Sequence, residues 1–128
     1  MIAIPFVEND LNLPIVEISI DGKKCLALID SGSQLTFFDK SLNNDEEDSR
    51  QCLMSLAGIS GENKYDCVKR NVTVGFGIKF LDMLVFYIDL NTIFPAEKAF
   101  LCIIGNDILS QYKMKIDYKN NHLWIPIR

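Results

Sequence analysis

Apolar and polar positions along this chain fall into a succession of short strand-like blocks. Val16-Glu17-Ile18-Ser19-Ile20 alternates apolar and polar residues, the period of a strand with one buried face. Asp21-Gly22 then predicts a hairpin turn, because both residues tolerate positive φ. The chain returns through Cys25-Leu26-Ala27-Leu28-Ile29, a continuous apolar run that reads as a strand covered on both faces. Leu35 to Phe38 resumes an apolar run, Val72 to Val74 and Phe80 to Ile88 predict further strands, and Gly75 and Gly77 permit a turn between them. Leu56-Ala57-Gly58-Ile59-Ser60-Gly61, between strand-like flanks, predicts the tip of a hairpin. Asn91 to Lys98, containing Pro95, predicts a loop. Phe100 to Ile104 predicts another buried strand that stops at Gly105. Asn106 or Asp107 would cap a short helix over Ile108 to Tyr112. Lys115 to Tyr118 and Leu123 to Ile125 flank a polar turn and predict a terminal hairpin. Many short strands with one short helix predict an all-β, closed or sandwiched domain over residues 1–128.

Composition narrows the function classes. The chain has 128 residues, 48% of them hydrophobic and 23% charged, which suits one domain with a sizeable core. A net charge of −4 argues against nucleic acid as the main partner. No stretch approaches the ~20 apolar residues of a membrane span, and Met1 to Pro5 lacks the basic start and apolar core of a signal peptide. Asn43 to Asp48 is acidic and reads as a solvated segment. The four cysteines, Cys25, Cys52, Cys67 and Cys102, show no CxxC spacing. Cys25 and Cys102 sit in apolar runs and read as core thiols. The even count permits disulfides, but the mild preference is for a reducing compartment, and the expected location is cytoplasmic. The sole histidine, His122, lies in a polar turn, so a metal site and a Cys–His or Ser–His–Asp mechanism are disfavoured.

Candidate chemistry begins at Asp30-Ser31-Gly32-Ser33. A buried strand running into this sequence delivers a carboxylate onto a tight turn surrounded by backbone N–H groups, a setting for a catalytic acid or base. The plain alternative is an Asx turn after a buried strand. A faint repeat accompanies the motif. Leu28-Ile29-Asp30-Ser31-Gly32 and Ile103-Ile104-Gly105-Asn106-Asp107 each end an apolar strand and open into a polar turn. A duplication of this kind would set two similar strand-to-loop elements side by side.

These pieces resemble the retropepsin-like aspartic proteases. The resemblance rests on Ala27 to Thr36, a glycine-bearing flap-like segment and Ile103 to Leu109, in family order, and covers roughly Leu13 to Ile127. Asn106-Asp107 stands where viral members favour a basic residue, so the chain looks more like cellular and bacterial members. The resemblance implies a closed β-barrel-like acid protease fold and an aspartic endopeptidase with no metal and no cofactor. One Asp-Ser-Gly per chain implies a homodimer with Asp30 from each subunit, cleaving an extended peptide or protein substrate by a water held between the two carboxylates. It further implies that Ser31 bonds across the dimer and that Gly32 lets its N–H approach the carboxylate. Thr36 would support the loop, Gly58, Ile59, Ser60 and Gly61 would form the flap tip, and Ile104 and Gly105 would pack against the catalytic loop. The Ser33 hydroxyl, placed to bond the outer carboxylate oxygen, would favour activity nearer neutral pH. Asp107 reads as a helix cap, and Trp124 and Phe100 as core or dimer-contact residues. Met1 to Phe6 and Leu123 to Ile127 are candidates for pairing between subunits. Two other readings stand beside this one: a protease-like dimerisation or peptide-binding module with little or no cleavage, and a structural β domain.

Overall fold

A computed structural model describes the backbone of residues 1–44, 49–58, 61–93 and 100–127, and side chains over the same ranges apart from 56–58, 61–63 and 92–93. The strands are β1 (Ile2–Pro5), β2 (Val7–Glu8), β3 (Pro14–Ile20), β4 (Lys23–Ile29), β5 (Phe37–Asp39), β6 (Arg50–Gly58), β7 (Gly61–Phe76), β8 (Lys79–Ile88), β9 (Cys102–Ile104), β10 (Lys115–Asp117) and β11 (His122–Ile125). Two helical segments, α1 (Leu90–Ile93) and α2 (Asn106–Gln111), and a 3₁₀ turn at Lys40–Leu42 complete it.

Six strands close on themselves. The pairing runs β3-β4-β9-β5-β8-β7, and β7 returns to β3 through Ser19↔Gly75 and Ile20↔Val74. This is the closed barrel that the sequence predicts. Alternation fills it: along β3, Val16, Ile18 and Ile20 are buried while Glu17 is exposed. These residues join Ala27, Ile29, Phe38, Val74, Phe76, Met83 and Ile104 in the main core. Asp21 and Gly22 both have positive φ (51° and 79°), which gives the tight β3–β4 hairpin its turn.

A second, smaller sheet runs β1-β11-β10. β11 has β1 on one edge and β10 on the other, so the two chain ends pair within one subunit. The outer edges of β1 and β10 are the ones this sheet leaves open. Phe100 is buried as core, and Trp124 is half-buried with its ring edge against His122.

Two local predictions are corrected. The loop expected from Asn91 begins with a helical turn, because Asp39 Oδ1 accepts from Leu90 N (3.1 Å) and Asp89 Oδ1 from Asn91 N (3.2 Å). The short helix starts at Asn106, with Gly105 at the cap position and no side-chain cap. Neither Asn106 nor Asp107 occupies the cap position. The acidic segment 45–48 lies outside the described residues.

Candidate active site

The Asp30 loop is built by threading one strand between two others. β4 enters the loop and β5 leaves it, and β9 lies between them, parallel to β4 and antiparallel to β5. Ala27↔Cys102, Leu28↔Ile103 and Ile29↔Ile104 pair in register. The two halves of the sequence repeat therefore lie side by side, and both strands reach their polar turns at the same level.

Backbone hydrogen bonds then lock one turn onto the other. Asp30 N donates to Ile104 O (2.9 Å), and Asn106 N donates to Ser33 O (2.7 Å). Within the loop Ser33 N donates to Asp30 O (3.1 Å), and Gly32 N donates to the Asp30 carboxylate at Oδ1 (3.0 Å). A Cβ on residue 32 would stand 3.2 Å from that same oxygen, so glycine allows the close approach. Gly105 is under a harder constraint. A Cβ there would meet Leu35 O at 2.2 Å and Ser33 O at 2.8 Å, both backbone atoms.

Thr36 is the hub of the arrangement and is fully buried. Its Oγ1 donates to Asp107 Oδ1 (2.7 Å) and accepts from Gly105 N (3.0 Å). Its own N–H reaches Asp107 Oδ2 (3.3 Å), and its carbonyl accepts from Phe86 N (3.0 Å). Asp107 is thus a clamp between the two motifs; from inside the helix its Oδ1 also accepts the first-turn Ile108 N–H (2.8 Å), although Gly105 holds the cap position. Asn106 spends its N–H on Ser33 in the same way.

Ser33 does not bond the Asp30 carboxylate. Its hydroxyl donates to Leu35 O (2.8 Å), a local bond two residues along the chain. The ground for activity nearer neutral pH is removed, while the loop-supporting role has a partner. Asp30 is half-buried and Ser31 and Gly32 are exposed, so the carboxylate sits at a solvent-facing turn. Ser31 shares a shallow groove with Asn106, Ser110, Lys113 and Lys115.

The flap-like segment is the arm formed by β6 and β7, in which Gly58 pairs with Gly61. Ile59 and Ser60 lie outside the described residues. At the base of the arm, Cys67 packs with Leu28, Phe37, Ile88 and Ile103, and Cys52, Met54 and Leu35 border the same cluster. The arm is therefore rooted in the apolar residues that flank the Asp30 loop on both sides. Cys52 and Cys67 form a disulfide with Cα atoms 5.0 Å apart. The even cysteine count alone does not single out this pair, but one signal marks it: Cys52 lies as many residues before Gly58 as Cys67 lies after Gly61. Cys25 and Cys102 are free thiols, as their apolar context predicts. Among the described residues no group of three His, Cys, Asp or Glu side chains is arranged to hold a metal ion.

Residues 11–117 match the family described as retroviral aspartyl protease. The chain belongs to that family. The family match spans both motifs, the arm and the barrel that carries them. Among solved structures the chain is similar to the retroviral protease-like domain of Ddi1 from Leishmania major. The TM-score is 0.56 at 16% sequence identity, over 100% of this chain and 92% of that one. That likeness speaks to the fold. No curated protein matches the chain. Among the described residues no helix is long and apolar enough to cross a membrane.

Proposed function

We propose that the chain is an aspartic endopeptidase that works as a homodimer, with one Asp30 contributed by each subunit. The observation that carries this reading is the Asp30 carboxylate, oriented by Gly32 N at 3.0 Å on a loop locked to the second motif and still open to solvent. One such carboxylate is half of the required chemistry. Two of them brought to about 3 Å across a two-fold axis cannot both ionise, so the pair shares a proton. The ionised member takes a proton from a water, and the protonated member polarises the scissile carbonyl. The titration belongs to the pair. Ser31, exposed beside Asp30, is placed to meet the partner's loop. The substrate lies extended between the loop and the β6–β7 arm, paired through its backbone.

The test is cleavage of a diverse peptide library by the wild-type chain and by Asp30→Asn over a range of protein concentrations. Cleavage that rises more steeply than linearly with enzyme and vanishes in the variant supports the dimeric peptidase. A stable dimer that cleaves nothing would overturn it in favour of a peptide-binding or dimerisation module.

A further inference from the structure

The β6–β7 arm leaves the barrel at one defined point. β7 pairs with β8 from Val68 to Phe76, whereas Gly61 to Cys67 pair with β6 alone. β6 is the outermost strand of its sheet. Cys67 is therefore the first residue of β7 beyond the barrel, and Cys52 stands directly opposite it. The disulfide closes the two-stranded arm at its root, where the barrel stops contributing hydrogen bonds.

A cavity of about 630 Å³ opens on the same point, outside the Asp30 loop, and both bridge cysteines line it together with Lys40, Gln51, Lys64 and Asp89. The two half-cystines differ in access. Cys67 is 5% exposed and packed in the apolar cluster with Phe37 and Ile103, while Cys52 is half-buried. Cys25 and Cys102 give an internal contrast: their sulfurs lie 3.9 Å apart in the barrel wall and remain unbridged.

We propose that Cys52–Cys67 is a reversible thiol-exchange site, reached through this cavity by low-molecular-weight thiols, and that its redox state sets how firmly the β6–β7 arm is ordered. A thiolate attacks Sγ of Cys52, the Sγ–Sγ bond breaks, and Cys67 leaves as a thiolate that takes a proton from water. A second thiol then attacks the mixed disulfide and frees Cys52. In sum, the bridge and two small thiols give two protein thiols and one small-molecule disulfide. In a reducing compartment, such as the cytoplasm expected from the sequence, the thiol pool would open the bridge and oxidising conditions would close it. The consequence for catalysis rests on the peptidase reading, in which the arm covers the substrate; the consequence for arm order does not.

The full chain, purified without reductant, is titrated with dithiothreitol and its thiols are counted by alkylation and mass spectrometry. Two thiols are expected before reduction and four after, with the barrel intact. Amide exchange is then compared between the two states and with a Cys52→Ser/Cys67→Ser variant. Leu53, Met54, Tyr65 and Asp66 are expected to exchange about tenfold faster or more once the loop is opened, while β3, β4 and β9 are unchanged. Four thiols before reduction, reduction only on global unfolding, or unchanged exchange in the arm would each overturn the proposal. If peptides are cleaved, KM rises on reduction. If none is cleaved in either state, only the peptidase reading fails, because thiol count and amide exchange decide this one.

Discussion

Replacing Thr36 by valine isolates the clamp that holds the two motifs together. The change keeps shape and removes one oxygen from a fully buried site. Two bonds go with it: the 2.7 Å donation to Asp107 Oδ1 and the 3.0 Å acceptance from Gly105 N. A hydrogen bond to a charged group contributes about 1.5–3 kcal/mol, and a buried N–H left without an acceptor costs about 1–3 kcal/mol. Asp107 is half-buried and keeps Ile108 N at 2.8 Å and Thr36 N at 3.3 Å, so its share is partly recovered. The expected loss is about 3 kcal/mol of a total near 5–15 kcal/mol, or about 10 °C in Tm. Urea denaturation of wild type, Thr36→Val, Asp107→Ala and the double variant measures it, with an expected coupling of about 1–2 kcal/mol. Thr36→Ser keeps both bonds and loses one methyl group, about 1 kcal/mol. A Thr36→Val protein within about 0.5 kcal/mol of wild type, or a coupling of zero, would refute the clamp.

Three more outcomes follow from the same structure. Gly105→Ala forces a methyl group against two backbone carbonyls and should cost about 3 kcal/mol or more, read as a Tm drop of about 10 °C; a neutral variant contradicts the packing of the two turns. Burial pushes the Asp39 carboxyl up, but the Ser41 hydroxyl and N–H, Leu90 N–H and the Lys40 charge outweigh it and hold it below its ordinary value. That stabilisation is fully present above the unfolded pKa of about 3.9 and is lost as pH falls through the lower folded value. Asp39→Asn should therefore be less stable near neutrality by about 1–2 kcal/mol and show a flatter stability curve below pH 4, as measured by denaturation at stepped pH. Asp117 is held below its ordinary value by the Asn120 side chain and then by Trp124, whose Nε1 donates to Oδ2 at 3.2 Å. Trp124 is the only tryptophan, so its emission should report that titration with a midpoint below about 3.9, and Asp117→Asn should abolish the step.

What was legible in the sequence was whatever depends on local period or local turn chemistry. β3, β4 and β8 follow from alternation and apolar runs, and the Asp21-Gly22 turn from residues that accept positive φ. The repeat was legible too, because two similar strand ends have similar composition. Its meaning is a long-range pairing of Ile29 with Ile104. The return of β7 to β3, which closes the barrel, has no periodic signature, since two pairs, Ser19↔Gly75 and Ile20↔Val74, are too few to show a period. Side-chain polar bonds were the least legible. A serine beside a carboxylate and an aspartate at a helix start each have several local partners within reach. Ser33 chose Leu35 O, and Asp107 chose Thr36, just before β5 and far away in sequence.

The geometry of the Asp30 loop also divides the labour between a subunit and its proposed partner. Bonds within one chain already orient the loop: Asp30 N to Ile104 O, Asn106 N to Ser33 O, Ser33 N to Asp30 O, Gly32 N to the carboxylate, and the Thr36–Asp107 clamp. A loop fixed this way does not need to be ordered at the moment of association, which spares that part of the entropy cost of binding. On the peptidase reading the single-chain site is incomplete, because one carboxylate cannot be both the base and the acid at once. On that reading a second copy supplies the other carboxylate and the shared proton. It follows that Asp30→Asn should leave stability and loop order nearly untouched while removing catalysis, whereas Thr36→Val should weaken both. A thermal melt and a peptide assay on the two variants separate chemistry from scaffold, and equal loss of stability in both would show that the carboxylate is itself part of the frame.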